Sequence, residues 1–471
     1  MSAFALNERL YYPTLAGLSP KVPLMSRTAP LRQELAATVR LATPVALVQL
    51  GAMLMGVVDA MMLGRVSAQA LAAGALGNIS TFPLLIFGAG VLSALDPLVA
   101  QAHGAGDRRA IGSHLQRGAV LALVLTIPLG LLIANVAPVL RLLGQPEAII
   151  GDAAIFARGL IWGLPAFFLF FAFRQTLQAM SIVRPTAIAI VLGNLINVAG
   201  NWILIFGHLG FPTLGVAGSA YATSLSRWVM VAWLIWATNR TIGITWRDVT
   251  REAVNLAHHL HLLRIGVPIG LHQSAEIFFF ATLALLVGRM GVVALAGHQI
   301  AINLASLAFM IHVGIGGAAA TRVGNAIGRQ DMPGARLAAL SSLALGVAVA
   351  VACALLLALF PAQLARFYTR DREVIAMAAL LLPIGAAFQV FDSLQTVGGG
   401  ILRGAADTTY PAGLAFLGFW VLGLPAGWYF AFPAGHGAAG LWWGMTVGLA
   451  AVSLFLVARI ARRFRGSIER A

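Results

Sequence analysis

Residues 44–107 of this chain are written a second time 224 positions later. Pro44 is matched by Pro268, Gln49 by Gln273 and Gly64-Arg65 by Gly288-Arg289. Leu71 is matched by Leu295, Gly104 by Gly328 and Asp107 by Asp331, in one register without a gap. Both copies are apolar enough for lipid. The chain is 59% hydrophobic and 10% charged, with a mean hydropathy of +0.87, against about 25% charged residues in a soluble domain. A duplicated membrane half builds the same bundle twice and leaves a solute path between the copies.

Charge-poor stretches count the spans. They run 41–58 (Asp59 interrupts, then apolar to 64), 66–95, 118–140, 159–183, 265–288, 290–321, 337–365 and 374–402. Two more, 185–226 and 408–458, are too long for one crossing and break at His208-Leu-Gly-Phe-Pro212 and Phe432-Pro-Ala-Gly-His436. At roughly 20 residues per crossing, this gives an all-α polytopic protein of twelve transmembrane helices. Six spans per half is even, so both halves enter from the same side and are related by a pseudo-twofold axis along the membrane normal. The ends of the halves echo each other too, Gly215-Val-Ala-Gly218 against Gly437-Ala-Ala-Gly440 and Leu164-Pro165 against Leu382-Pro383. The expected organisation is a segment 1–40, an N-lobe 41–238, a linker 239–261, a C-lobe 262–460 and a basic tail 461–471.

The formal charge of +15 does not indicate nucleic acid, because of where the charges sit. With the N-terminus inside, only Arg65, Arg141, Arg158, Arg289, Arg366, Arg370 and Arg372 of the 31 Lys and Arg fall outside, and Arg174 and Arg227 lie within helices. That asymmetry places both termini in the cytoplasm, with the tail from Arg459 to Arg470 against anionic lipid. The linker carries Trp246, Asp248, Arg251, Glu252 and the histidines His258, His259 and His261, read as an amphipathic surface connector rather than a metal site. Cys353 is the single cysteine, so no disulfide framework exists. The first 40 residues hold no short apolar core with a cleavage site and predict no cleaved signal peptide.

Four acids lie in predicted helices: Asp59, Asp96, Glu276 and Asp392. Each ionised group near the bilayer centre costs about 2.5–3.5 kcal/mol on insertion scales, so each needs a reason to be there. The plain reason is a structural pairing with Arg174 or Arg227, which suits Asp96 best, next to Pro97 near a helix end. The functional reason is ion coupling. Glu276 shares a helix face with Gln273 and His272, and Asp392 with Gln389 and Gln395. Asn194, Asn197 and Asn201 form one stripe, which faces inward. Their oxygens suit a hard cation such as sodium, or else form an interhelical hydrogen-bond ladder. Burial disfavours a charged carboxylate, so an inward acid can take a proton or sodium and release its substrate. Carboxylates in an apolar, aromatic-lined cavity also match an organic cation. Phe167, Phe278, Phe388 and Gln49, with Phe168, are the expected cavity residues. No Gly-Lys-Ser/Thr phosphate loop is present, and Gly88-x-Gly90 lies inside a helix, so ATP is not the expected driver.

At these residues the chain resembles the multidrug and toxic compound extrusion (MATE) family, in its NorM-like bacterial branch. The resemblance is carried by Val58-Asp59-Ala-Met-Met-Leu-Gly64-Arg-Val-Ser67, by Asp96-Pro-Leu-Val-Ala-Gln101-Ala-His-Gly104, and by Arg184-Pro185 with Asn197 and Asn201-Trp202. It continues in Gln389-Val-Phe-Asp392-Ser-Leu-Gln395 and Gly400-Ile-Leu-Arg403-Gly404, and covers about residues 40–460. It implies two six-helix lobes with alternating access that export cationic drugs and dyes against sodium or protons. It implies an N-lobe ion site at Asp59, Asn197, Asn201 and Thr223, and a C-lobe cation site at Glu276 and Asp392, with Gln273 and Gln395 beside them. Phe388 stands where that branch often has tyrosine, which makes a C-lobe sodium site less secure than a protonatable one.

The expectation is therefore an antiporter of the bacterial inner membrane, a monomer with lipid around it, no nucleic-acid partner, and no cofactor beyond the coupling Na+ or H+. Two other readings compete. A flippase for lipid-linked oligosaccharides would need inward arginines for the pyrophosphate, and only Arg174 and Arg227 qualify. An intramembrane transferase would need a base at a helix-end loop, for which His103 beside Asp107 is the nearest candidate.

Overall fold

A computed structural model describes residues 31–243 and 255–471. Helices account for most of these residues, and no strand occurs among them. The first half contains α1 (Leu31–Val66), α2 (Ala68–Leu92), α3 (Leu95–Gly104), α4 (Arg108–Ala134), α5 (Val136–Leu142) and α6 (Glu147–Ile161). It continues with α7 (Leu164–Ala179), α8 (Arg184–Phe206) and α9 (Val216–Ile242). The second half contains α10 (Leu256–Gly288), α11 (Val292–Gly328), α12 (Met332–Leu359), α13 (Pro361–Arg366) and α14 (Arg372–Gly404). Its last span joins α15 (Thr409–Phe416) and α16 (Leu424–Ala431) through a π-helical stretch, and α17 (Gly437–Arg463) follows. Ten helical segments are long and apolar enough to cross a bilayer, counting α2 with α3 and α15 with α16 as one each. The pair α6 and α7, bent by 51°, makes an eleventh. The 27-residue α9 is the twelfth; Ser219, Thr223, Ser224, Ser226 and Arg227 dilute its apolar character.

Local chemistry sets the helix ends. Ser67 accepts from the Ala70 N–H and starts α2. Asp107 accepts from the Ala110 N–H and starts α4, and its repeat mate Asp331 does the same for the Gly334 N–H at α12. Such caps satisfy donors that a helix cannot satisfy itself. The α6–α7 bend falls at Trp162 and Gly163, where Pro165 opens α7 at a position that needs no N–H.

The two halves obey the pseudo-twofold at atomic detail. Gly104 lies so close to Asn325 that a Cβ would overlap its carbonyl, and Gly328 lies equally close to Gln101. These are the same contact with the halves exchanged. Gly90 against Gly270 and Gly314 against Ala46 repeat the pattern one layer deeper. Close backbone approach lets membrane helices gain dispersion contact where no hydrophobic drive exists. The side-chain ties repeat as well. The Gln101 amide donates to the Gly404 carbonyl at 3.1 Å, and the Asn325 amide donates to the Ala179 carbonyl at 3.2 Å. Each acceptor is the last residue of a helix of the opposite half, α14 and α7.

The first helix of each lobe begins inside the other lobe. Leu41 and Ala42 of α1 are packed in a core of α11, α12, α14 and α17. Leu262, Ile265 and Ile269 of α10 are packed in a core of α2, α3, α4 and α7. Across this seam Arg322 of α11 makes a two-pronged ion pair with Glu34 of α1, its Nη2 2.6 Å from Oε2. These ties gather at the bundle end that carries residues 31 and 463. The middle and opposite parts of α1 and α11 keep many exposed residues, among them Val57, Met61, Leu295 and Leu307.

Several sequence expectations meet a different local structure. Helix α1 starts at Leu31, so residues 31–40 belong to the bundle, and Glu34 is buried. His258, His259 and His261 lie in the first turns of α10. Residues 1–30 and the linker residues Trp246, Asp248, Arg251 and Glu252 lie outside the described residues. The tail folds onto the protein. Phe464 and Ile468 are buried, Arg336 donates to the Phe464 and Arg465 carbonyls, and the Ala471 N–H donates to Gln101 Oε1.

Candidate functional site

The N-lobe site is built by three helices that converge on one carboxylate. Asp59 projects from α1. Asn197 and Asn201, one turn apart on α8, donate their amides to its Oδ1 at 2.9 and 2.6 Å. Thr223 of α9 donates its hydroxyl to Oδ2 at 2.8 Å. The Asn197 amide also reaches the Thr223 oxygen at 3.1 Å, and the Asn201 amide reaches Asn197 Oδ1 at 3.3 Å. Asn197 and Asn201 are fully buried. A carboxylate is acceptor-only and takes up to four such bonds, so this cage suits the ionised form. Turning an amide oxygen toward a cation would require the amide to flip, because its two ends have opposite character. Asn194, third on the stripe, is used elsewhere. It donates to the Gly51 and Ile190 carbonyls and ties α8 to α1.

The C-lobe site is drier and less evenly matched. Asp392 of α14 is 2% exposed, and its Oδ2 lies 3.6 Å from His312 Nδ1 on α11. Gln389 Nε2, one turn before Asp392, lies 3.3 Å from the same nitrogen. Glu276 of α10 is half-buried and within electrostatic reach of Asp392. Asp392 Oδ2, Gln389 Oε1 and His312 Nε2 are buried with no hydrogen-bond partner. His312 was not singled out in the sequence. Its signal would have been a lone polar residue within the apolar run of α11.

The remaining expected residues are dispersed. Gln395 pairs with His272 at 3.1 Å. Gln273 lies against Gly90 of α2, on the lobe seam. Gln49 accepts from Arg174 at 2.6 Å. Phe167 supports the Arg227 guanidinium, 4.9 Å from its ring centre. Phe278 is 52% exposed on α10. Phe388 is not a cavity wall: it is 3% exposed and wedged between Phe280 and Trp442 in the C-lobe core. Phe168 is likewise core.

Asp96 pairs across the lobes with Arg403 at 3.4 Å, and both side chains are largely buried. Arg403 is the direct contact, with Arg174 within electrostatic reach of the same carboxyl. Arg174 and Arg227 stack on Phe171 and Phe167. Asp107 caps α4 through its Oδ1.

The comparisons place the chain in a family and give its fold. The MatE family model matches residues 44–203 and 268–429, two segments that begin at the repeat mates Pro44 and Pro268. Multidrug resistance protein MdtK of Yersinia pseudotuberculosis is 35% identical over 430 residues, covering 89% of this chain and 93% of that protein. The MdtK of Yersinia enterocolitica is 34% identical over the same length. Among solved structures, the eukaryotic MATE transporter AtDTX14 superposes with a TM-score of 0.83 at 22% identity, covering 92% of this chain and 99% of that one. An outward-facing multidrug resistance MATE family transporter of the MOP superfamily superposes at 0.81 with 21% identity, covering 92% and 96%. The chain is a multi-pass membrane protein and belongs to the MatE family.

Proposed function

We propose that this protein is a secondary active multidrug exporter of the bacterial inner membrane. It exchanges cationic drugs and dyes for sodium or protons by alternating access between its lobes. The observation that carries the reading is one carboxylate site per lobe, the half-buried Asp59 in the first and the buried Asp392 with half-buried Glu276 in the second. A cation released from such an acid leaves a buried charge. That charge must be balanced by an incoming ion before the lobes can move. Substrate and ion therefore compete for the same carboxylates, which is the minimum for antiport.

With both termini cytoplasmic, the packed end of the bundle faces the cytoplasm. The Glu34–Arg322 and Asp96–Arg403 pairs then act as the inner gate, and the arrangement described here is outward-open. Each charge moved across the membrane gains about 2.3 kcal/mol per 100 mV, whichever ion carries it.

The test is ethidium transport by purified protein in proteoliposomes, under an imposed sodium gradient and then an imposed pH gradient. The expected result is transport by the unaltered chain under at least one gradient. Asp59→Asn and Asp392→Asn should each lose it while still inserting. Full transport by both variants would remove the carboxylates from the mechanism.

A further inference from the structure

We propose that His312 is a coupling residue that shares one proton with Asp392, so that the C-lobe exchanges its substrate for a proton rather than for sodium. This rests on the exporter reading above and adds to it the identity of the C-lobe ion.

The geometry turns on one nitrogen with two unlike neighbours. His312 Nδ1 faces the Gln389 amide, a donor, at 3.3 Å and the Asp392 carboxylate, an acceptor, at 3.6 Å. Neutral imidazole with a bare Nδ1 accepts from Gln389. A protonated Nδ1 donates to Asp392 instead, and Gln389 can then rotate its oxygen inward. In the present arrangement, Asp392 Oδ2 and Gln389 Oε1 are buried acceptors with no donor. An unmatched buried polar atom costs about 1–3 kcal/mol, and a single added proton supplies the missing donor.

Among the described residues no other group hydrogen-bonds that oxygen. On α14, Arg403 is committed to Asp96. On α10, His272 is held by Gln395, and Glu276 is a second acid, not a donor of fixed charge. Helix α12 offers only Arg336, bound to tail carbonyls, and Cys353. On α1 Glu34 is held by Arg322, and on α7 Arg174 is held by Gln49. Sodium fits poorly, since hard cations take oxygen ligands and the oxygen concerned faces an imidazole nitrogen. The exchange balances. A proton reaches Asp392 and His312 from the open side past the half-buried Glu276, one cationic charge leaves with the substrate, and the proton departs to the other side after the lobes have moved.

The test measures protons directly. Ethidium is added to the purified full-length chain in weakly buffered, sodium-free detergent solution, with a pH dye as readout. The unaltered protein should release about one proton per bound cation, the reciprocal of protons displacing the cation. His312→Gln should bind ethidium with little proton release and a flattened pH dependence. In vesicles it should lose roughly tenfold or more of transport driven by a pH gradient. If that variant does not insert, His312→Asn and the proton count of the unaltered chain decide. Binding without proton release by the unaltered chain, or unchanged release by the variant, overturns the proposal and leaves the exporter reading standing. Absence of ethidium binding and of transport under either gradient takes down both.

Discussion

Asp59 and Asp392 are the same chemical group set in opposite surroundings. Asp59 is met by three donors from two neighbouring helices, and both of its oxygens are matched. Asp392 is met by a histidine at 3.6 Å, and one of its oxygens is buried without a donor. The halves that hold them are related by a repeat exact enough to write the contact between Gly104 and Asn325 twice. Symmetry therefore governs the seam, and the two interiors have diverged. A set of donors aimed at both oxygens favours the ionised carboxylate, for which a cation can compete. A shortage of donors makes a proton the natural guest. One scaffold thus holds two kinds of carboxylate site.

The comparison can be broken most sharply at Asp59. Asp59→Asn keeps the size but turns an acceptor of three bonds into a group that is half donor, facing three donors. Ethidium efflux is expected to fall at least a hundredfold, on the order of the loss of one buried charged partner at 3–5 kcal/mol. Asp392→Asn should also abolish efflux. There the amide supplies a donor that the core lacks, so its thermal stability is expected to match or exceed that of the unaltered chain. Paired efflux and melting measurements on the two variants check this, and equal destabilisation would erase the distinction between lobes.

The seam comes next. Arg322→Ala leaves Glu34 buried and unpaired, which should cost about 3–5 kcal/mol in the end-packed state, whereas replacing both by methionine should be nearly neutral. Labelling of engineered cysteines at that end reads the difference. Gln101→Leu and Asn325→Leu each remove one copy of the repeated tie, and each should cost about 1 kcal/mol. Unequal costs would show that the tail, which engages Gln101 through the Ala471 N–H, adds to one side only. The smallest effect is expected at Arg141, whose hydrogen bond holds the exposed Glu147 carboxyl below its ordinary range. A lowered acid stabilises the fold above its unfolded value and loses that contribution as pH falls through its folded value. Arg141→Gln should therefore leave efflux unchanged and lower melting slightly at neutral pH, with the difference vanishing as the pH falls through the Glu147 range.

Much of this was legible in the chain. The repeat register placed Gly104 with Gly328 and Asp107 with Asp331, and both pairs are used identically. Helical spacing put Asn197 and Asn201 on one face, and they meet on Asp59. Asn194 shares that stripe but sits a turn nearer the packed end, where it ties backbones; spacing along one helix does not reveal what the next helix presents at each depth. The Arg403 partner of Asp96 and the His312 partner of Asp392 come from helices about 300 and 80 residues away, distances over which no periodicity speaks. Phe388 was read as a cavity wall because aromatic residues beside an acid suit a cation. Its ring instead fills the core between Phe280 and Trp442, where packing outweighs that affinity. The start of each lobe inside the other was likewise hidden, since a hydrophobic turn does not state which core receives it.

The central claim is that occupancy of the two carboxylate sites decides which end of the bundle is open. It is tested most directly by spin labels at the symmetry mates Leu71→Cys and Leu295→Cys, in a chain carrying Cys353→Ala, with the distance distribution followed as ethidium and coupling ion are added. The expected result is two distance populations whose ratio moves with ligand in the otherwise unaltered chain and stays fixed when Asp59→Asn and Asp392→Asn are combined. A ratio indifferent to ligand, or one that still responds after both acids are gone, would contradict the claim.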